Sequence, residues 1–480
     1  MKCTKGCFFL ICLLSLVFTC KGQSTYIPEQ LRPEIREIIG QFEDTTTIHL
    51  ADCDSGNSPD YALFQQLKMH ASQNDLFELT KHPCANIKAY SFYILSRKEG
   101  VDIFPILLEH LNDPTCIDAI YSCYIEAGYY PCHTLSDFFI DVAVSNSNNH
   151  NTKLLSLQQL NYLDSILIYA PTSNRALRGA LRRLKPLESR YDRIKELYEE
   201  KGSGQALVSL AKYNKKEDRE HILNAQRHLN KRYVFEAIKY FPDDFFIPFL
   251  QDELANYSFS LYQEEPFFKA IAAYKDERAN EMLNEILEIL LKKDQHEYEL
   301  EKLLFAVDEN CHEAFTEIMY ALWSHAFISP QVFNFLLQYD IDKTFDYTKK
   351  SIKDSIHLNQ YLGGIYNKKT DTLLHVMMDL IIQKDILLAK EVLVKNLREA
   401  HVLMFPAFAE YAALLKDEVF IAPLIDVARN NPFDHNCRAA SSALIAYQRL
   451  EINETLHEIA QERKGTPEGR AIKSTLEEFE

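Results

Sequence analysis

The chain has 480 residues, more than one hydrophobic core usually serves, so several domains or an extended array are expected. Only 13 residues are glycine, well under the about 7% of an average chain, which disfavours strand-rich folds built from tight turns and favours helix. The formal charge of -17 repels phosphate backbones and speaks against nucleic acid as the main partner.

Residues 1–22 read as an export signal. Lys2 and Lys5 give a basic start, Phe8 to Phe18 an apolar run, and Cys20-Lys21-Gly22-Gln23 a polar break. The run is too short to span a bilayer, so it is expected to be cleaved. No later stretch of about 18 or more uncharged apolar residues follows, and the rest of the chain is expected to be soluble. Leu16-Val17-Phe18-Thr19-Cys20 resembles the lipidation site of bacterial lipoproteins. That resemblance implies a lipid on Cys20, membrane attachment through it, and a periplasmic or outer-membrane place in the cell envelope. The alternative is an ordinary signal cleaved near Gln23, leaving a secreted or soluble periplasmic chain. Without residues 1–20, whose only charges are Lys2 and Lys5, the formal charge of -17 becomes -19.

Residues 23–59 are expected to form a helical lead-in, Tyr26 to Phe42, and a polar loop through Pro59. Repeats are expected over 60–338. Tyr61 to Thr80 places Leu63, Phe64, Leu67 and Ala71 at helical spacing, with Leu76 and Leu79 beyond. His82-Pro83-Cys84-Ala85-Asn86-Ile87-Lys88-Ala89 is a turn entering YSFYILS. Its phrase returns at Asn431-Pro432-Phe433-Asp434-His435-Asn436-Cys437-Arg438-Ala439-Ala440, entering SSALIAY. Pro83 and Pro432 end one helix and fix φ before the next. Asp113-Pro114 is a weaker instance without the basic residue. A basic side chain near a helix start is poorly placed for the dipole, so Lys88 and Arg438 are expected to reach acidic groups of a neighbouring unit. Ser145 to Thr152 is the one clearly polar loop. Arg175, Arg178 and Arg182 share a helix face, with Arg183 and Lys185 beside them. A solvated or salt-bridged face is expected there over an anion-binding one.

Phe241 to Asp252, FPDDFFIPFLQD, is repeated as Leu415 to Asp426, LKDEVFIAPLID. Ile103 to Leu111 aligns with Phe246 to Leu254 through Pro105 and Pro248. Pro242-Asp243-Asp244 is read as the turn between helices, with an Asp able to cap the one that follows. Arg232 and Arg438 correspond, each five residues before Ala237 and Ala443. Further pairs are expected at Ala206–Tyr213 with Glu217–Leu223, Phe267–Tyr274 with Glu277–Leu291, Glu297–Val307 with Ala314–His325, and Thr372–Ile382 with Ile386–Leu397. Residues 339–369 are least regular, holding Gly363-Gly364, and read as a plain long turn or as a candidate hinge or insertion between an N-terminal and a C-terminal half. Repeats resume over 370–480. They end in a capping helix that starts at Thr466-Pro467-Glu468 and carries Arg470, Lys473, Glu477, Glu478 and Glu480.

The proline turn followed by a hydrophobic residue, a basic residue and alanine resembles the inter-helix turn of HEAT repeats, of the armadillo-type superfamily. The resemblance covers residues 60–460, with specific phrases near 82–111, 232–254 and 415–447. It implies an all-α fold, an α-solenoid (superhelix) of stacked antiparallel helix pairs whose concave side binds another protein. In it Pro83, Lys88, Arg232, Asp243, Pro432 and Arg438 are structural residues of the repeat. The spacing from Phe241 to Tyr274 is 33 residues and from Leu415 to Tyr447 is 32, slightly under the about 40–47 of HEAT and armadillo units.

No Gly-rich phosphate loop, GxSxG elbow, HExxH or CxxC occurs. His296-Glu297, His312-Glu313 and His457-Glu458 lack a second His four residues on. No catalytic, cofactor or metal site is expected, and paired carboxylates such as Asp243-Asp244 and Glu264-Glu265 discriminate nothing in so acidic a chain. Beyond the signal lie Cys53, Cys84, Cys116, Cys123, Cys132, Cys311 and Cys437. Read as one helix, Cys116 and Cys123 share a face about 10.5 Å apart, too far for a disulfide or one zinc. Cys123 and Cys132 have the spacing to bridge across Gly128-Tyr129-Tyr130-Pro131 in an oxidising envelope, and free helix-packing thiols are the default. The sequons at Asn256 and Asn453 read as chance. The expected function is an exported, non-enzymatic scaffold or adaptor that binds an unidentified protein partner in the bacterial cell envelope. One alternative is an immunity-type binder neutralising a basic toxin, to which the negative charge suits fast steered association. Another is an enzyme on a helical-repeat frame, such as the DNA glycosylases that resemble HEAT arrays, against which export and acidity both argue.

Overall fold

The computed structural model describes residues 26–42, 47–50, 59–120, 129–144, 154–170, 173–256, 264–292, 297–353, 368–400, 402 and 404–479. The backbone is 76% helical, so the fold is all-α, with one small sheet set into it. The chain divides into two compact units, residues 1–213 and 214–480. That division falls at Tyr213, not in the 339–369 stretch read as a candidate hinge. This stretch opens with a regular helix, Ile341–Lys353, and residues 354–367 lie outside those described. The polar loop 145–152 also lies outside them.

The first unit holds α1 (Pro33–Ile39), α2 (Pro59–His70), α3 (Gln73–Leu79), α4 (Ala85–Leu95), α5 (Phe104–Glu109), α6 (Leu135–Val144), α7 (Leu157–Tyr169), α8 (Asn174–Arg183), α9 (Tyr191–Glu199) and α10 (Gly204–Ala211). The periodic run from Tyr61 to Thr80 is two helices, because Ser72 caps α3 in a reciprocal box with Asp75 and so starts a new one. Alternate helices pack together: α4 on α6, α6 on α8, α8 on α10, and α7 on α9.

Three strands interrupt this pattern. β1 (Thr47–His49) runs parallel to β2 (Cys116–Ile120), which pairs antiparallel with β3 (Tyr129–Thr134). Cys116 therefore opens a strand, which corrects its placement on a helix face shared with Cys123. Cys123 itself lies outside the described residues. Cys116 is also disulfide-bonded, not a packing thiol, whereas Cys84, Cys311 and Cys437 are in no disulfide. Tyr129-Tyr130-Pro131, read as a turn, belongs to β3. The physical reason is pairing at long range: β2 is held between β1 and β3, with Ile120 opposite Tyr129 in register.

The base of the sheet is organised by Asp113. Its carboxylate accepts from Lys88 Nζ at 3.0 Å and from Thr115 through both N–H (3.1 Å) and Oγ1 (2.6 Å). Burial pushes this carboxyl up, but the bonds from His110, Thr115 and Lys88 outweigh it and hold the group well below the usual carboxylate range.

The second unit holds α11 (Arg219–Asn224), α12 (Lys231–Tyr240), α13 (Ile247–Ala255), α14 (Glu264–Ala272), α15 (Glu277–Leu291), α16 (Glu297–Glu309), α17 (Thr316–Ser324), α18 (Pro330–Tyr339) and α19 (Ile341–Lys353). It continues with α20 (Lys368–Lys384), α21 (Ile386–Glu399), α22 (Phe405–Leu415), α23 (Ile421–Asn430), α24 (Asp434–Ile445), α25 (Leu450–Glu462) and α26 (Pro467–Phe479). Each even-numbered helix from α12 packs on the next even-numbered one, without a break to α26. Odd-numbered helices do the same over α13, α15 and α17 and again over α21, α23 and α25. The first four helices of the even row begin at Lys231, Glu264, Glu297 and Pro330, each 33 residues after the last.

The repeated sequence phrase is the entry to α13 and α23. Asp243 and Asp417 accept the N–H of Phe245 (3.0 Å) and Val419 (3.1 Å), each capping a 3-10 turn that runs into its helix. Pro248 sits in the first turn of α13, where its missing N–H has no intrahelical partner to lose. A tyrosine two residues past the following even-numbered helix then closes the turn. Tyr274 Oη donates to the Asp243 carbonyl and Tyr447 Oη to the Asp417 carbonyl, both at 2.7 Å. In the first unit Tyr213 Oη meets the Leu187 carbonyl at 3.0 Å in the same way.

Burial and the Asp417 carboxylate push the Tyr447 phenol up to about 12, and Tyr274 is raised in the same sense, so both stay donors at neutral pH. Replacing Tyr274 by Phe should destabilise the second unit by about 1 kcal/mol, the typical worth of one such bond. Trp323, the only tryptophan and buried in α17, reports the transition in a urea titration. An unchanged midpoint, matching that of Tyr339→Phe at an exposed position, would show the bond to be idle.

Candidate interaction surface

The six residues read as repeat-structural lie in both units, and no hydrogen bond or ion pair joins any two of them. Pro83 and Pro432 are exposed in the turns before α4 and α24. Lys88 reaches Asp113, and exposed Arg438 lies 3.6 Å from Glu478 on α26. Arg232 instead pairs within its own helix, with Glu236 at 2.7 Å. Asp243 caps its turn and forms an ion pair with Arg219; burial opposes its ionisation, but the Phe245 N–H and the Arg219 guanidinium hold its carboxyl low. Cys20 lies outside the described residues.

Of the basic run on α8, Arg175 pairs with Asp141 at 2.5 Å and Arg183 forks onto buried Asp164 at 2.6 and 3.3 Å, while Arg178, Arg182 and Lys185 are exposed. His312 serves as a cap: its Nδ1 accepts the Ala314 N–H ahead of α17. On α26, Thr466 Oγ1 accepts the Gly469 N–H, and Arg470, Lys473, Glu477 and Glu478 face solvent. Among the described residues no group of three or more His, Cys, Asp and Glu is placed to hold a metal ion, and no helix is long and apolar enough to cross a membrane.

What these helices do assemble is a composite surface along the even row. α16 is flanked by α14 and α18 and backed by α15 and α17, so one arc of it is left to solvent. That arc carries Tyr298, Glu301, Phe305 and Glu309 at helical spacing, with Tyr298 56% and Phe305 42% exposed. Tyr240 of α12 is exposed at one side, and on α18 exposed Tyr339 stacks on Phe335 with ring centroids 6.2 Å apart.

The charges of this surface are matched to one another. Glu309 accepts from Lys239 of α12 and lies 3.0 Å from Lys269 of α14, which also meets Glu265 at 2.7 Å. Burial opposes ionisation of both Glu309 and Lys269. The two lysines nevertheless hold Glu309 below its usual range, and the two glutamates hold Lys269 above its own.

Directly under the surface, Lys302 and Glu264 form an ion pair at 2.6 Å with side chains 5% and 2% exposed. Lys302 Nζ also lies 4.0 Å from the centroid of the Tyr298 ring, which caps it as a cation–π contact. Glu264 Oε1 has no hydrogen-bond partner. Sequence reasoning passed over Glu264-Glu265 as one of many acidic pairs. The signal that separates them is the i, i+4 match of Glu265 to Lys269, which marks the solvent side and turns Glu264 inward.

A different face belongs to the odd row. α15 exposes Glu277, Glu281, Glu285 and Glu288 along one stripe, and among the described residues neither Glu281 nor Glu285 makes an ion pair. No family model, no curated protein and no solved structure matches the chain.

The buried pair gives a sharp expectation. Glu264→Gln leaves the Lys302 ammonium in the core without its counter-charge and should cost about 3 kcal/mol. Adding Lys302→Met should recover most of that loss in the same urea titration. A single variant as stable as the parent, or a double variant no better than the single, would mean that the pair is not sealed from water.

Proposed function

We propose that this chain is an exported, HEAT-like α-solenoid that works as a non-enzymatic scaffold or adaptor in the bacterial cell envelope. It binds a protein partner through the even row of its second unit. Alternate-helix packing with a 33-residue step supports the stacked-pair reading, since each unit then offers equivalent positions to one continuous surface. The observation that carries the binding surface is the set of exposed aromatic side chains on α12, α16 and α18, set beside charges already matched within the protein. Such a face loses little on desolvating its ions and gains from aromatic anchors, which carry much of the energy of protein interfaces. Its near-neutral ladder is unsuited to gripping a phosphate backbone. The oxidised state of Cys116 suits a compartment outside the cytoplasm, in keeping with the export signal.

The acidic stripe of α15 favours a second reading, an immunity-type binder of a basic protein drawn in by charge. The two readings separate in one experiment: mild cross-linking in native cells, capture of the tagged chain, and quantitation of each companion across two surface variants. Phe305→Ala with Tyr339→Ala should reduce the main companion at least about tenfold, the effect of removing interface anchors, while Glu281→Lys with Glu285→Lys leaves it in place. The reverse pattern supports the basic partner. Companions insensitive to both variants would remove both surfaces from consideration.

Attachment through Cys20 is tested separately. Cys20→Ala should move the protein from the membrane fraction to the soluble one, and a protein that stays with membranes unchanged is not held there by a lipid on Cys20.

A further inference from the structure

α8 and α15 turn outer faces of opposite charge to solvent. On α8 the apolar side is buried and the outer side presents Arg178 and Arg182, with Lys185 exposed just past the last turn. On α15 the apolar side is likewise buried, and the outer side presents Glu281 and Glu285. Residues four apart on a helix are separated by about 6 Å along its axis. The two guanidiniums and the two carboxylates are therefore set at the same interval.

Neither set is used within the chain. The neighbouring Arg175 and Arg183 of α8 are taken up by Asp141 and Asp164. At the end of α8, the carbonyls of Arg182 and Leu184 are met by Lys212 Nζ at 3.0 and 3.3 Å. Among the described residues Arg178, Arg182 and Lys185 make no ion pair, and Glu281 and Glu285 make none either. Like charges four residues apart repel one another on a helix. Each face thus holds its charges at a cost that an opposite charge from outside relieves.

We propose that the partner of the α8 face is a second copy of this chain, with Arg178 and Arg182 of one copy set against Glu281 and Glu285 of the next. Complementarity of both sign and spacing selects this occupant. The two faces differ, so the contact is heterologous: each copy keeps one face free for a further copy, and the assembly grows head to tail or closes into a ring. The net charge of -17 opposes association. At about 0.15 M salt, however, repulsion between charges more than about 8 Å apart is screened, while the facing pairs are in contact. Exposed ion pairs are individually weak, so the assembly is reversible and driven by concentration. None of this depends on what the even row binds.

Sedimentation equilibrium tests it, on the full chain carrying Cys20→Ala so that no lipid contributes. At about 0.15 M salt the weight-average mass should climb with concentration, to about twice that of one chain or more by about 0.1 mM. Arg178→Glu with Arg182→Glu should associate at least about tenfold more weakly, because like charges then face each other. Glu281→Lys with Glu285→Lys should do the same. An equimolar mixture of the two variants should associate again, since the first keeps the acidic face and the second the basic one. The substituted positions are exposed, and matching urea midpoints check that both variants fold as the parent does. Only the purified chain is present, so a foreign basic protein cannot produce the pattern. A parent that keeps the mass of one chain throughout, a variant that associates as the parent does, or a mixture that stays apart would overturn the proposal. So would a parent that stays single and binds phosphatidylglycerol vesicles through Arg178 and Arg182, which would make the α8 face a membrane contact instead.

Discussion

A phenol hydroxyl bonded to a capped carbonyl is the constraint that gives these helix pairs their geometry. Tyr213, Tyr274 and Tyr447 each stand two residues past an even-numbered helix and reach back to the residue that opens the preceding odd-numbered one. The bond fixes the two ends of a pair at once: the start of one helix and the exit of the other. Immediately after each tyrosine the backbone turns left-handed, at Asn214, Lys275 and Gln448, with φ of 54°, 54° and 56°. Two of these three are residues that pay about 1–2 kcal/mol for that conformation, and the anchored phenol is what makes the turn worth holding. This is how a chain with so few glycines still reverses direction at these three turns.

Because the turns are fixed, packing follows from the spacing between them. A 33-residue step brings each helix of the row α12, α14, α16 and α18 onto the next, most closely for α12, α14 and α16, and leaves one arc of α16 outside. Side chains far apart in sequence then become neighbours. Lys239 meets Glu309, and Lys302 meets Glu264. The two contacts differ in kind. The exposed ladder is worth little in stability, since water screens it. The enclosed Lys302–Glu264 pair tolerates no unmatched partner and so selects one register of α16 against α14.

Much of this was legible in the sequence, and the reason is locality. The Asp243 and Asp417 caps, the proline in the first turn of α13, and the helical spacing of apolar residues are all encoded within about a dozen residues of one another, and helices stand at the segments named from them. The sheet was not legible. Cys116–Ile120 acquires its strand character from partners at 47–49 and 129–134, and no local period announces a pairing of that range. The same limit hid the surface. Lys239 and Glu309 are 70 residues apart, and Glu264 and Glu265 differ only in which side of α14 they occupy.

Tyr298 shows why surface and core cannot be separated in such an array. Its ring is more than half exposed among the aromatic side chains of the even row, yet its inner face rests on the ammonium of Lys302, whose charge is answered by Glu264. On the proposed function, a partner settling on that ring would remove water from above a buried cation and so strengthen both the cation–π contact and the ion pair below it. Under that proposal the register of α16 against α14 is coupled to occupancy of the surface. By the reciprocity of linked equilibria, whatever holds that register would then also prepare the surface for the proposed partner.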